Sequence, residues 1–103
     1  MKSESRSTLT TFDLEFLPSA RKEWDKLGAA IREQLKKKLA ERLTNPHVPA
    51  SRLHDLPDCY KIKLRAAGYR LVYRVNDGRV VVIVVAVGKR DRNLVYKVAA
   101  GRV

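Results

Sequence analysis

The chain has 103 residues, 45% hydrophobic and 32% charged, with 22 Lys and Arg against 11 Asp and Glu for a formal net charge of +11. That length suits one domain around one core, burying roughly 65% of the surface its unfolded form exposes. The longest apolar run, Val80 to Val87, is about half of what a membrane helix needs, so no membrane partner is expected, and the single Cys59 excludes an intrachain disulfide.

A reducing cytoplasm is therefore the expected setting, and no apolar segment follows the basic residues near the N-terminus as a secretory signal would require. The charge is uneven. Residues 52–103 hold twelve basic and four acidic side chains, a net of +8, whereas residues 1–51 hold ten and seven, a net of +3. Such an excess calls for polyanions, nucleic acid first and an acidic protein second.

In chain order, residues 1–11, "MKSESRSTLTT", show no hydrophobic period and read as a flexible polar leader to a single domain over 12–103. "TFDLEF" alternates Phe12, Leu14 and Phe16 against Asp13 and Glu15, the pattern of a half-buried strand. Pro18 suits the first turn of a helix, where its missing N–H would have no partner. Ala20, Trp24 and Leu27 then fall at i, i+4 and i+7, and Gly28 can end that helix. Residues 29–44 predict a longer helix with Ile31, Leu35, Leu39 and Leu43 as its apolar stripe. Lys36, Lys37 and Lys38 mostly face away from that stripe, and Asn45-Pro46 ends it. Two amphipathic helices joined by a tight turn make a hairpin that must lie on something apolar.

A proline-rich loop follows, and then the period changes from 3.6 to 2. Tyr60, Ile62 and Leu64 alternate with Lys61, Lys63 and Arg65; after Ala66-Ala67-Gly68, Tyr69, Leu71, Tyr73 and Val75 alternate with Arg70, Val72 and Arg74. Asn76-Asp77-Gly78 is a hairpin signal, and "VVVIVVAV" is apolar on both faces, as a central strand would be. The last sixteen residues read as a loop and a short helix. The expected fold is α+β, in the order β-α-α-β-β-β. Its small, mainly antiparallel sheet has one face covered by the helical hairpin and the other bearing Lys61, Lys63, Arg65, Arg70 and Arg74.

Like charges on neighbouring strands repel, so this face is either solvated or completed by an anion. Lys89, Arg90 and Arg92 leave the end of the central strand, and counting in twos back from Arg90 puts Gly88, Ala86 and Val84 on its face, with room for a ligand over the small pair. Metal or histidine chemistry finds no support. His47 and His54 sit in the proline-rich loop as surface residues, and Asp55, Asp58, Asp77 and Asp91 are explained by turns. Cys59 reads as packing. Lysine, arginine and tyrosine remain. A lysine, with a reference pKa of ~10.4, is a poor base unless clustered cations and partial burial lower it. A site of this kind would depend on electrostatics and on substrate held in line for attack.

"WDKLG" at Trp24–Gly28, "REQLKKKL" at Arg32–Leu39, "LPDCYKIKLR" at Leu56–Arg65, "GYRLVYRV" at Gly68–Val75 and "VGKRDR" at Val87–Arg92, followed by Tyr96, closely resemble the RelE branch of the RelE/ParE toxin superfamily in one register from about Phe12 to Tyr96. The resemblance implies a microbial-ribonuclease-like fold and a ribosome-dependent endoribonuclease without metal or cofactor. Such toxins cut the mRNA codon in the ribosomal A site by 2′-hydroxyl attack. Carried over position by position, the catalytic set is Lys61, Lys63, Arg70, Arg90 and Tyr96. Lys61 and Tyr96 are both candidates for taking the 2′-proton, Lys63 and Arg70 stabilise charge, and Arg90 does so at the leaving oxygen. Lys36, Lys37, Lys38, Arg65, Arg74, Lys89 and Arg92 are the expected contacts to rRNA and mRNA. The implied partners are a RelB-like acidic antitoxin, the 70S ribosome through its 16S rRNA, and operator DNA through the toxin–antitoxin complex. The alternative within the superfamily is a ParE-like, non-enzymatic inhibitor of DNA gyrase.

Overall fold

The computed structural model describes residues 11–91 and 93–103; the expected leader, apart from Thr11, and Arg92 lie outside the described residues. Its elements are β1 (Asp13–Phe16), α1 (Pro18–Asp25), α2 (Ala29–Thr44), a 3₁₀ turn (Pro49–Ser51), β2 (Cys59–Leu64), β3 (Tyr69–Asn76), β4 (Val81–Lys89) and α3 (Leu94–Ala100). Pro18 opens α1 as expected. Gly28 serves as the N-cap of α2 rather than the end of α1, and Asn45 caps its far end ahead of Pro46.

The sheet runs in the order β1-β4-β3-β2. β2 and β4 are antiparallel to β3, while β1 pairs parallel with β4, so the sheet is mixed. The eight-residue apolar run is indeed central, and both its faces are buried. Ala20, Trp24, Leu35 and Leu39 of the helical hairpin bury one face with Ile62, Leu71, Tyr73, Val82 and Val84. Leu35, fully buried, is the kind of residue whose truncation costs about 2–5 kcal/mol.

Two features depart from the sequence-based expectation. The register between β3 and β4 slips at Val72/Tyr73, pairing Val72 with Ala86 but Tyr73 with Val84, so Val85 is an extra residue in a β-bulge. The bulge inverts the alternation. Ala86 packs in one core and Gly88 against Val95 on that side, but Val84 belongs to the opposite core, so counting in twos fails beyond Ala86.

The second departure is that the other face is not left open. α3 lies across its middle, where Val95 and Ala99 close a second core over Cys59, Val72, Val85 and Ala86. A Cβ on Gly88 would sit 3.4 Å from Val95 Cγ2, so part of the room expected for a ligand is taken by this helix. Cys59 is fully buried here, and burial pushes its thiol pKa up against the opposing charge of Arg74. It is packing, as its position suggested.

Beyond Phe16 the β1 side of β4 has no partner strand, and its polar groups are met otherwise. Leu17 N–H donates to Val84 O (3.0 Å). Arg102 Nη1 donates to the bulged Val85 O (2.8 Å), and Val87 N–H donates to Glu23 Oε1 (3.2 Å). Arg102 and Glu23 in turn form a two-pronged ion pair at 3.0 Å on both prongs. One arginine therefore ties the end of α3 to the sheet and to α1, and covers an edge that would otherwise invite pairing.

Candidate functional site

Alternation along β2 puts Lys61 and Lys63 on the face away from the helical hairpin. The antiparallel register sets Lys63 opposite Arg70 and Lys61 opposite Val72. Arg70 is next paired with Gly88, and Val72 with Ala86. Two rows thus cross three strands: Lys63–Arg70–Gly88 at one end of the sheet, and Lys61–Val72–Ala86 under α3.

Arg90 joins the first row through its backbone. Its N–H donates to Gly68 O at 2.6 Å, pinning the exit of β4 to the β2–β3 turn. Gly68 holds φ +73° there, a conformation that suits glycine. Tyr96 arrives on α3, half-buried against the second core, and lines a 410 Å³ hollow with Leu53, His54, Asp55 and Lys97.

The electrostatics are one-sided. Arg70 is only 8% exposed, and its Nη1 donates to Tyr69 O (3.0 Å). Among the described residues, the ion pairs are Arg21–Asp25, His47–Asp77, Arg79–Glu15 and Arg102–Glu23, none of which includes Lys61, Lys63, Arg70 or Arg90. The charge of Lys61, then partial desolvation, then the charges of Arg65 and Arg70 lower the pKa of Lys63. Cations crowded without an acid favour an anionic ligand and loosen the proton that Lys63 carries.

The other expected contacts are scattered. Arg74 is at the far end of the same face, opposite Cys59 and Ile83, beside a 280 Å³ hollow with Asp55, Leu56 and Val103. Lys36, Lys37 and Lys38 are exposed on α2, in the layer behind the sheet, and Lys36 borders a groove with Arg21, Trp24 and Arg32. Arg65 and Lys89 are exposed at the Lys63 end. Arg92 lies outside the described residues. No group of three or more His, Cys, Asp or Glu able to hold a metal ion occurs among the described residues, and no helix among them is long and apolar enough to cross a membrane.

Two residues that periodicity passed over shape this region. Arg42 reaches from α2 to the β2 edge, where Nη1 donates to Lys61 O (3.2 Å) and Tyr73 Oη (2.9 Å) and Nη2 to Ser51 Oγ (3.2 Å). His47, expected as a bland loop residue, contacts Tyr60 Oη through Nδ1 (2.9 Å) and Asp77 Oδ1 through Nε2 (2.8 Å), which ties the proline-rich loop to the β3–β4 turn. Neither has a sequence signal, since each partner is distant along the chain.

With this geometry in hand, known proteins of the same kind can be placed beside it. A family model described as the ParE toxin of the type II toxin–antitoxin system parDE matches residues 14–94. The mRNA interferase toxin RelE of Escherichia coli strain K12 is 58% identical over 90 residues, which make up 87% of this chain and 95% of that protein. Among solved structures, a mutant of E. coli toxin RelE in the free state matches at 54% identity with TM-score 0.84, covering 90% of this chain and 98% of that one. The toxin in the intact E. coli RelBE toxin–antitoxin complex matches at 58% identity with TM-score 0.76, covering 79% and 99%.

Proposed function

This chain belongs to the RelE/ParE family of type II toxin–antitoxin toxins, and we propose on that premise that residues 12–103 act as one ribosome-dependent endoribonuclease domain that cuts mRNA in the ribosomal A site. The observation that carries the reading is the acid-free row of Lys63 and Arg70, with Arg90 pinned beside it by Gly68.

In the proposed reaction the 2′-oxygen attacks the adjacent phosphorus and gives up its proton, to Lys61 or to Tyr96. The bond to the 5′-oxygen breaks and that oxygen takes up a proton, from water or from Arg90, leaving a 2′,3′-cyclic phosphate and a 5′-hydroxyl. Lys63 and Arg70 stabilise the charge gathering on the phosphorane, where a partly buried guanidinium acts more strongly than one in water. The loosened proton of Lys63 suits a group that shares it with that charge. Arg90 steadies the leaving oxygen. No strong base is present in this set, so the rate depends on in-line placement of the 2′-oxygen, and the ribosome supplies it by holding the codon. Lys36, Lys37, Lys38, Arg65, Arg74, Lys89 and Arg92 contact rRNA and mRNA, some on each layer of the molecule.

The net charge of +11 and the RelBE match support an acidic, RelB-like antitoxin as cytoplasmic partner, with operator DNA bound through the pair. The test is a defined mRNA incubated with this protein, with and without translating ribosomes. Cleavage at the A-site codon that disappears in Arg90→Ala is the expected result; equal cleavage of naked RNA overturns the ribosome requirement. The ParE description of the family model favours a second reading, gyrase inhibition without chemistry. Loss of supercoiling activity at stoichiometric protein, with intact mRNA on ribosomes, would establish it.

A further inference from the structure

We propose that the β2 edge carries a second phosphate-binding cup, built from Arg42, Ser51, Lys61, Lys63 and Arg65, that holds a phosphodiester of the RNA neighbouring the one that is cut. The inference rests on the RNA reading above and deepens it. A hollow of 320 Å³ opens at this edge, lined by those five residues and Ala50. All four charged residues in its wall are cations, and none is in an ion pair among the described residues.

The floor is built to donate. A guanidinium has five N–H groups, and three of Arg42's are committed to Lys61 O, Tyr73 Oη and Ser51 Oγ. Its plane is further held by the Tyr73 ring, 5.7 Å from the guanidinium carbon. The Nε–H and the second Nη2–H remain. Ser51 Oγ accepts from Arg42, so its own O–H is left to donate outward. Tyr73 supplies no counter-charge, because its hydroxyl keeps its proton, which it donates to Pro46 O (2.7 Å) while accepting from Arg42. A ligand rich in acceptors and carrying negative charge satisfies such a cup, and a planar, pre-oriented guanidinium suits a tetrahedral phosphate.

Arg42 as a mere staple between α2 and β2 would account for the bonds to Lys61 and Tyr73. It would not account for the convergence of Lys61, Lys63 and Arg65 on the same hollow with no acid. Lys61 and Lys63 border both this cup and the cationic rows on the sheet face, so one continuous strand can lay successive phosphates on each. An acidic peptide has no such reason to follow both, and for that reason a nucleic-acid backbone is favoured over a carboxylate.

The test uses the full chain and a 2′-O-methyl RNA hexamer, which binds but cannot be cut. Its affinity is measured across a salt series for wild type, Arg42→Gln and Arg65→Gln, with the fold of each variant checked by amide NMR. Each phosphate contact on a single strand contributes about −0.7 to the slope of log K against log salt, so each variant is expected to flatten that slope by about 0.7. Arg65 is exposed, so its variant remains informative if Arg42→Gln does not fold. In parallel, the Arg42 Nε–Hε signal is followed as the hexamer is added to wild type and to Arg90→Ala, and is expected to shift in both. Unchanged slopes in both variants, or an Arg42 signal that moves with a glutamate hexapeptide and not with the RNA, overturn the cup. If the signal shifts and the slopes flatten while ribosome-bound mRNA stays intact, the cup stands and the cleavage reading fails instead.

Discussion

Lys63 on β2 lies directly opposite Arg70 on β3, and neither is in an ion pair among the described residues. The fold thus holds a repulsion that a neutral pair would lack, and a face that concentrates positive charge in this way is destabilised unless an anion joins it. The lowered pKa of Lys63 is the same fact expressed as a proton affinity. In the window between that lowered value and the unfolded lysine value of ~10.4, the unfolded chain binds more protons than the native one. Stability therefore rises with pH through the window.

Lys63→Met is accordingly expected to raise Tm at neutral pH and low salt while abolishing cleavage. The gain should shrink as salt is added, because the part-exposed Lys63 ammonium is open to screening, and should vanish above the unfolded lysine value. Thermal melts at two salt concentrations check this. A lower Tm at neutral pH would show that Lys63 is held by attraction rather than against repulsion.

Lys61 is the largest cause of the lowered Lys63 value. Removing it in Lys61→Met should move the Lys63 titration upward, toward ordinary lysine, as read from its side-chain NMR signals. An unmoved midpoint would mean that the two ammonium groups do not sense each other, and that Lys61 acts alone.

Arg102 and Glu23 are 79 positions apart and meet in a two-pronged, partly buried ion pair. Arg102→Met leaves Val85 O without its donor and Glu23 without its partner, at a cost of about 1–3 kcal/mol. Since Tyr96 rides on α3, amide exchange of Val95 to Ala99 should quicken and cleavage should fall, with the hairpin core nearly as protected as before. Equal loss of protection in α2 would indicate global unfolding rather than release of one helix.

Gly68 has space for a methyl group, with nothing within 4 Å of a Cβ placed there, so Gly68→Ala is governed by its φ of +73°. The left-handed conformation costs a non-glycine residue about 1 kcal/mol or more. The turn should relax away from it, loosening the 2.6 Å bond from Arg90 N–H to Gly68 O. Activity should drop by more than the stability change explains, as measured by kcat with denaturation in parallel; a pure stability effect would leave Arg90 unperturbed.

Period-two alternation in Tyr60 to Leu64 and Tyr69 to Val75, and period-four spacing from Ile31 to Leu43, sufficed to assign β2, β3 and α2 and the face each one buries, because burial must follow the geometry of the element. The cationic composition of the face, its lack of acid, and the packing role of Cys59 were equally legible, since they follow from residue type at a known parity. The bulge at Val85, the course of α3 over Ala86 and Gly88, the reach of Arg42 to the β2 edge, the His47 tie and the Arg102–Glu23 latch were decided by the tertiary structure alone. Each joins residues far apart in the chain, where one-dimensional periodicity carries no information. Only the packed sheet and helices bring the groups within hydrogen-bonding range, and the bulge then decides which side chains meet.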